Sequence, residues 1–308
     1  MTDGGEPAAP MPQRAARWLA ASAHRPVLIA AAFFMVPLLM PLSAAMIAFV
    51  ALLRGPQVGA IASLAAAAIV GIVVLLSGGA AFGVFTAGLL ILTLVSLAAT
   101  LLARSGSLSL TLQVCVLATA VLAGILGSAM PAAELREALA AEFMQQLGAT
   151  QGDVDAVAAM LANLVFGLAL AGLLLSVTVA LLLARGLQGL AEGQALAAAG
   201  FHQLSLGRLV SGVATVVLVG AWLLEWPALT NMTVVFVLAF TLQGLAVVHA
   251  TVARRGWNPL WLVMVYAIAL LPTPLAPVVM IGLMTAGYLD NWLGLRPTVA
   301  IGEHPPQD

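Results

Sequence analysis

The stretch VLIAAAFFMVPLLMPLSAAMIAFVALL, residues Val27–Leu53, decides how this chain is arranged. It contains 27 residues without a charge, and Pro37 and Pro41 lie near its middle. A straight helix of this length would reach about 40 Å, whereas the hydrocarbon core of a bilayer is about 30 Å thick. The segment therefore either crosses a membrane once with length to spare or folds back at its two prolines.

The composition is that of a membrane protein. Of the 308 residues, 63% are hydrophobic and 7% are charged, whereas a soluble domain carries about 25% charged residues. Uncharged apolar runs recur along the whole chain, which predicts a polytopic helical protein whose main partner is the lipid bilayer. The net charge of −1 and the lack of a dense basic patch argue against nucleic acid as a partner.

The distribution of arginine decides between the two readings of the opening segment. If Val27–Leu53 crosses once, Arg54 and Arg104 fall outside and the acidic segment 131–155 falls inside. If it folds back near its prolines, both arginines move inside and the acidic segment moves outside. Ten of the eleven arginines then face the cytoplasm. Because cytoplasmic loops are enriched in Lys and Arg, we predict the hairpin.

The last apolar run, Asn258–Leu293, repeats this pattern. It contains 36 residues, too many for one crossing, and Pro272, Pro274 and Pro277 interrupt it. Arginines flank both of its ends, so we predict a second short hairpin. The alternative is one full span followed by a tilted interfacial helix. The fold prediction is an all-α polytopic membrane protein with about eight crossings and a proline-broken hairpin near each end.

The segments between and around the apolar runs suggest a division of the chain. We predict disordered cytoplasmic tails at 1–13 and 297–308. Two helical parts, 14–130 and 156–296, would be separated by the external acidic segment 131–155. In that segment Leu135, Leu139, Phe143 and Leu147 recur every four residues, which predicts an amphipathic helix on the outer surface. A glycine-bearing cytoplasmic loop is predicted at 186–207.

Polar residues within apolar runs are the candidate functional residues, because they are costly inside a membrane. Gln243 and Asn231 could line a polar cavity or join helices by hydrogen bonds. His249 could bind substrate or relay protons, or bond a neighbouring helix at the interface. Asp290 is the only acid in the last apolar run, and we expect it to pair with Arg254, Arg255 or Arg296.

The sequence does not favour an enzyme. No HExxH, GxSxG, P-loop or CxxC pattern is present, and the four histidines are scattered. The single cysteine, Cys115, lies in an apolar run and fits a small buried residue. We therefore predict no catalytic residue, no metal site and no cofactor.

Three segments of the second half carry a family resemblance. They are Gly200–Arg208 (GFHQLSLGR), Gln243–Trp257 (QGLAVVHATVARRGW) and Tyr288–Arg296 (YLDNWLGLR). In this order and spacing they resemble the YybS-like family of bacterial membrane proteins, whose function is undefined. The resemblance implies a multi-pass protein of the bacterial inner membrane, and the arginine distribution predicts that both termini lie in the cytoplasm.

The first half is similar, more distantly, to the substrate-binding S components of energy-coupling factor vitamin transporters. In those proteins a first helix, a short second helix and a basic turn, here Leu53-Arg54-Gly55, lead into a third helix. This similarity implies binding or transport of a small solute. The polar residues singled out above, Gln243, His249, Asn231 and Asp290, are then the candidate substrate contacts.

The alternative function is a non-transporting scaffold or assembly factor for cell-envelope partners. It would dock partners through 186–208 and 131–155. The candidate contact residues are Phe201, His202, Arg208, Arg254 and Arg255. A membrane partner protein or a second copy of the chain would then be the partner.

Overall fold

The computed structural model describes residues 10–79, 81–129, 137, 151–193, 200–271 and 274–296. These residues are helical or irregular, and none of them lies in a β-strand. The helices are α1 Met11–Ala20, α2 His24–Phe34, α3 Met40–Arg54, α4 Pro56–Leu76, α5 Ala81–Ser105, α6 Leu108–Ala129, α7 Gln151–Ala191, α8 Gly207–Leu224, α9 Pro227–Arg255, α10 Leu260–Leu270 and α11 Ala276–Leu293. Short 3₁₀ turns lie at Pro37–Leu39 and Phe201–Gln203.

Length and composition give this chain the character of a membrane protein. Within the described ranges, seven helical segments are long and apolar enough to cross a membrane. They are Pro37–Arg54, Pro56–Leu76, Ala81–Ser105, Leu108–Ala129, Val157–Ala191, Gly207–Leu224 and Pro227–Arg255. Shorter apolar helices accompany them near both ends. The prediction of an all-α polytopic membrane protein is confirmed.

The chain divides into two compact units, and each is described by itself. The first unit is Met1–Thr119 with Leu168–Phe201, and the second is Ala120–Gly167 with His202–Asp308. The division falls within α6 and α7, whereas the sequence suggested the acidic segment 131–155. Apart from Glu137 and the first residues of α7, that acidic segment and its predicted amphipathic helix lie outside the described residues.

In the first unit, the opening apolar segment folds back on itself. Helix α2 ends at Phe34, a 3₁₀ turn starts at Pro37, and α3 starts at Met40. The hydroxyl of Ser43 donates to the carbonyl of Ala30 at 2.8 Å. Because Arg54 at the end of α3 donates to the carbonyl of Ala20 before α2 at 2.9 Å, the two helices run antiparallel. This is the hairpin that the arginine distribution predicted.

The core of the first unit forms around this hairpin. Helices α2 and α3 pack on α4 and α5 through small and branched side chains, which lets the backbones approach closely. The buried cluster consists of Val27, Ala30, Met46, Ile47, Val50, Ala62, Ala66 and Leu92. Near the turn, the ring of Phe34 lies against Gly88 of α5, where an added Cβ would be 3.2 Å from the ring.

In the second unit, the final apolar run also forms a hairpin. Helix α10 ends at Leu270 and α11 starts at Ala276, on either side of the predicted proline break. The ring of Tyr266 in α10 lies 5.8 Å from His249 of α9. Asp290, near the end of α11, accepts a hydrogen bond from Gln243 of α9 at 2.8 Å. Both contacts lie in the C-terminal half of α9. Helix α10 starts near the C-terminal end of α9, and α11 ends near it, so α10 and α11 form a hairpin.

Helices α9 and α11 approach each other at two glycines. An added Cβ at Gly244 would collide with the carbonyl of Leu283, and one at Gly287 with the carbonyl of Phe240. Neither obstacle is a side chain that could rotate away. The two helices therefore pack backbone to backbone, as small residues permit in membrane proteins.

Helix α7 is longer than the sequence suggested. We predicted a loop from residue 186, but the helix continues through Gly186 to Ala191. Leu187 packs on the apolar core of the first unit, and Arg17 of α1 donates to the carbonyl of Ala191 at 3.4 Å. These contacts stabilise the extra turns and offset the poor helix propensity of glycine.

Candidate functional site

Polar side chains of the second unit gather around Gln243, which is completely buried. Its amide nitrogen donates to Asp290 Oδ2 at 2.8 Å and to Asn291 Oδ1 at 2.9 Å. Its amide oxygen accepts from the backbone nitrogen of Leu206 at 2.9 Å and from Asn291 Nδ2 at 3.2 Å. A glutamine side chain has two donor hydrogens and two acceptor positions, and these four bonds use all of them. Gln243 therefore joins α9 to α11 and to the turn before α8.

Asn291 forms further hydrogen bonds that extend this arrangement to the start of α8. Its side-chain oxygen also accepts from the backbone nitrogen of Gly207 at 2.9 Å and from the hydroxyl of Ser205 at 3.2 Å. Its side-chain nitrogen donates to the hydroxyl of Ser211 at 2.9 Å. These bonds fix the start of α8 against the end of α11.

Arg296 pairs with Asp290, one of the three partners that the sequence left open. Its Nε donates to Asp290 Oδ1 at 3.2 Å, and its terminal nitrogen forms an ion pair with Oδ2. The same guanidinium donates to the carbonyls of His202 at 2.8 Å and Leu204 at 2.7 Å. The Asp290 side chain is only 4% exposed, so these bonds offset the cost of burying its carboxylate.

We call Gln243, Asp290, Asn291, Arg296, Ser205 and Ser211 the polar cluster. It connects three chain segments, namely 202–211, the middle of α9 and the end of α11. Its amide and carboxylate groups are bonded to one another or to the backbone, which is how buried polar groups are stabilised in a nonpolar environment. No residue of the cluster lines the groove of about 460 Å³ between α6 and α9 or the cavity of about 200 Å³ in the first unit. The arrangement holds helices in place.

Two other predicted contact residues lie elsewhere on α9. Asn231 is 1% exposed, accepts from the backbone nitrogen of Gly167 at 2.6 Å, and donates to the carbonyl of Asn163 at 2.9 Å. It therefore joins α9 to α7, about 18 Å along the helix from Gln243 at 1.5 Å per residue. His249 Nδ1 lies 2.8 Å from the carbonyl of Leu245. The structure thus brings together Gln243 and Asp290 only.

The predicted partner-contact residues differ in their placement. Phe201 and His202 form a 3₁₀ turn that is partly buried, and the carbonyl of His202 accepts from the polar cluster. Arg208, Arg254 and Arg255 are exposed at helix ends. The guanidinium of Arg255 lies 4.9 Å from the centre of the Trp257 ring, a cation–π contact.

The second unit also contains an open groove of about 460 Å³ between the end of α6 and the start of α9. Its lining is mainly apolar, with Ser128 contributing a hydroxyl and Trp226 an indole. The lining residues are Val121, Gly124, Ile125, Ser128, Ala129, Trp226, Ala228, Leu229 and Met232.

Sequence reasoning missed this groove and the part that Asn291 and Ser211 play. The groove lies where Gly124 and Gly127 of α6 meet α9, and the sequence does not distinguish these glycines from others in apolar helices. An added Cβ would be 2.9 Å from the sulfur of Met232 at the first glycine and 2.8 Å from Asn231 Nδ2 at the second. These glycines let α9 approach α6 closely at the groove.

Comparisons of the chain with known protein families, with curated proteins and with solved structures find no match. Within the part of the chain that the structure describes, no three His, Cys, Asp or Glu side chains are grouped to hold a metal ion. The functional argument therefore depends on this chain's own geometry.

Proposed function

We propose that this integral membrane protein binds a small, largely apolar or amphipathic solute in the groove between α6 and α9. The groove itself is the observation that supports the proposal. Its volume of about 460 Å³ lies within the range of about 300–1,000 Å³ usual for small-molecule sites. Binding is the first step of transport, so the proposal includes the transport activity that the resemblance to S components implies.

The lining indicates the chemistry of the solute. Val121, Ile125, Leu229 and Met232 offer an apolar wall, which favours a hydrocarbon chain or ring. Ser128 is exposed at one edge, and its hydroxyl donates to the carbonyl of Gly124 at 3.0 Å while keeping acceptor capacity. A solute with an apolar body and one hydrogen-bonding end fits this lining.

We also propose that the arginine-bearing helix ends face the cytoplasm of a bacterial inner membrane, as the positive-inside rule requires. In the first unit Arg54 donates to the carbonyl of Ala20 and Arg185 to that of Gly106. Arg54 at the end of α3 and Arg185 near the end of α7 therefore lie beside the ends of α1 and α5 in that same unit. Under this orientation Trp226 and the groove belong to the outer half of the membrane.

We also propose that the chain is a member of the YybS-like family. The three segments that carry the resemblance, Gly200–Arg208, Gln243–Trp257 and Tyr288–Arg296, each contribute to the polar cluster. The three segments therefore contact one another directly, which supports treating them as a single motif.

Filling the groove tests the proposed function. Ser128→Trp places an indole where the solute would lie, and we expect the retained small molecule to be lost. Leu122→Trp is the matched control, because Leu122 is exposed on the same helix but does not line the groove. Native mass spectrometry of gently extracted protein measures the mass of the bound molecule in each variant.

Two outcomes would contradict the proposal. One is an adduct that survives Ser128→Trp to the same extent as Leu122→Trp. The other is wild-type protein that carries only bulk membrane lipid and co-purifies with other proteins, which is the result expected of the scaffold alternative. Saturable uptake by proteoliposomes that Ser128→Trp abolishes would extend the proposal from binding to transport.

A further inference from the structure

A second cavity lies in the first unit, at the end of the helices where the arginines are concentrated. Its volume is about 200 Å³. It is lined by Leu52, Leu102, Ala103, Gly106, Arg185 and Gln188. A guanidinium, an amide and a helix terminus therefore meet in one small space.

The described part of the first unit has a large excess of positive charge. Among the described residues of the first unit there are six arginines and one acid, Glu192. Four of the arginines donate to backbone carbonyls, which satisfies hydrogen bonds without neutralising the charge. These four are Arg17, Arg25, Arg54 and Arg185. Arg54 and Arg104 each lie within two residues of a lining residue.

The hydrogen bonds of Arg185 are weak. Two of its nitrogens share the single carbonyl oxygen of Gly106, at 3.3 and 3.4 Å, and good N–H···O bonds are about 2.9–3.0 Å long. A guanidinium has five donor hydrogens, and within the described residues Arg185 forms hydrogen bonds to Gly106 alone. A tetrahedral anion in the cavity could accept two of these hydrogens in the bidentate geometry that arginine favours.

Features of α1 place this end of the unit at the level of lipid headgroups. Trp18 is 52% exposed, and the guanidinium of Arg25 lies 4.6 Å from the centre of its ring. Exposed Trp beside Arg is typical of the membrane–water interface. A lipid phosphate is therefore the anion that is present at high local concentration next to this cavity.

We propose that the cavity of the first unit binds the phosphate of one anionic phospholipid headgroup, with Arg185 as its principal ligand. Basic pockets between transmembrane helices on the cytoplasmic side bind such headgroups in the same way. This site shares no lining residue with the groove between α6 and α9, so the two proposals are tested separately.

Lipid titration followed by native mass spectrometry tests the site. Delipidated full-length protein in detergent is titrated with phosphatidylglycerol and, separately, with phosphatidylcholine of the same chain length. We expect the first phosphatidylglycerol to bind more tightly than phosphatidylcholine. Arg185→Gln should weaken that event about five- to tenfold, the effect of one arginine–phosphate contact.

The matched control is Arg14→Gln, which removes the same charge from an exposed position on α1 that does not line the cavity. It should leave the affinity within twofold of the wild type. Glu192→Gln keeps the test decisive if Arg185→Gln fails to fold. Glu192 accepts from Gln188 at 3.0 Å, so removing its charge beside the cavity should tighten phosphatidylglycerol binding.

Three results would overturn the proposal. They are equal affinity for the two lipids, equal weakening by Arg185→Gln and Arg14→Gln, and complete displacement of phosphatidylglycerol by millimolar inorganic phosphate. The last result would mean that a free anion, and not a lipid, occupies the cavity.

Discussion

Replacing Arg296 by Gln is expected to lower the free energy of unfolding of the second unit by about 3–5 kcal/mol, the usual cost of removing one partner of a buried ion pair. The substitution leaves the carboxylate of Asp290, 4% exposed, without its cation. It also removes the donors that hold the carbonyls of His202 and Leu204. The effect should be visible as a lower midpoint of thermal unfolding in detergent.

A double-mutant cycle separates the charge from the packing. Asp290→Asn combined with Arg296→Gln removes both charges, so the double variant should recover part of the lost stability. Arg208→Gln is the control, because Arg208 is exposed near the same end of the second unit. A double variant as unstable as the sum of the two single variants would refute the coupling, as would an Arg208→Gln variant as unstable as Arg296→Gln.

Replacing Gly287 by Ala should destabilise the packing of α9 on α11 by about 1–3 kcal/mol, the range for overpacked sites. The added Cβ meets the carbonyl of Phe240 and the backbone nitrogen of Gly244. Because both are main-chain atoms of a helix, the helices have to move apart. Separation would also strain the hydrogen bonds of Gln243 to Asp290 and Asn291.

Gly282 provides a matched control on the same helix, because an added Cβ there meets nothing within 4 Å. Gly282→Ala should be neutral or stabilise by up to about 1 kcal/mol, since alanine is the better helix former. Equal unfolding midpoints for Gly287→Ala and Gly282→Ala would show that the close approach of the two helices is wrong.

Much of the fold could be predicted from local sequence and charge. Pro37 and Pro41 mark the turn between α2 and α3 because proline interrupts helical hydrogen bonding. Arg54 supplied the independent argument, since only a hairpin places it on the side that positive residues prefer. The same two signals, prolines and flanking arginines, located the hairpin formed by α10 and α11.

The candidate site was less predictable because its contacts are long-range. The sequence marked Gln243 and Asp290 as polar residues in apolar helices, yet gave no reason to join them through Asn291. The sequence left Arg254, Arg255 and Arg296 open as partners of Asp290, and only the packed structure selects Arg296. Whether any of the predicted contact residues touches a solute remains a prediction.

The groove and the length of α7 depended on packing as well. Gly124 and Gly127 look like any glycines of an apolar helix until α9 lies against them. Gly186 resembles a helix end, but Leu187 packs on the core of the first unit and the helix continues. In both cases tertiary contacts, and not local propensity, decide the outcome.

The central claim is that Val27–Leu53 returns to the side from which it entered, which places the start of α4 in the cytoplasm. Labelling of single cysteines tests this claim most directly. In a Cys115→Ala background, Gln57→Cys and Glu225→Cys each place a thiol at an exposed position. A membrane-impermeant maleimide added to intact spheroplasts should label position 225, and label position 57 only after permeabilisation. Labelling of position 57 in intact spheroplasts would contradict the hairpin topology.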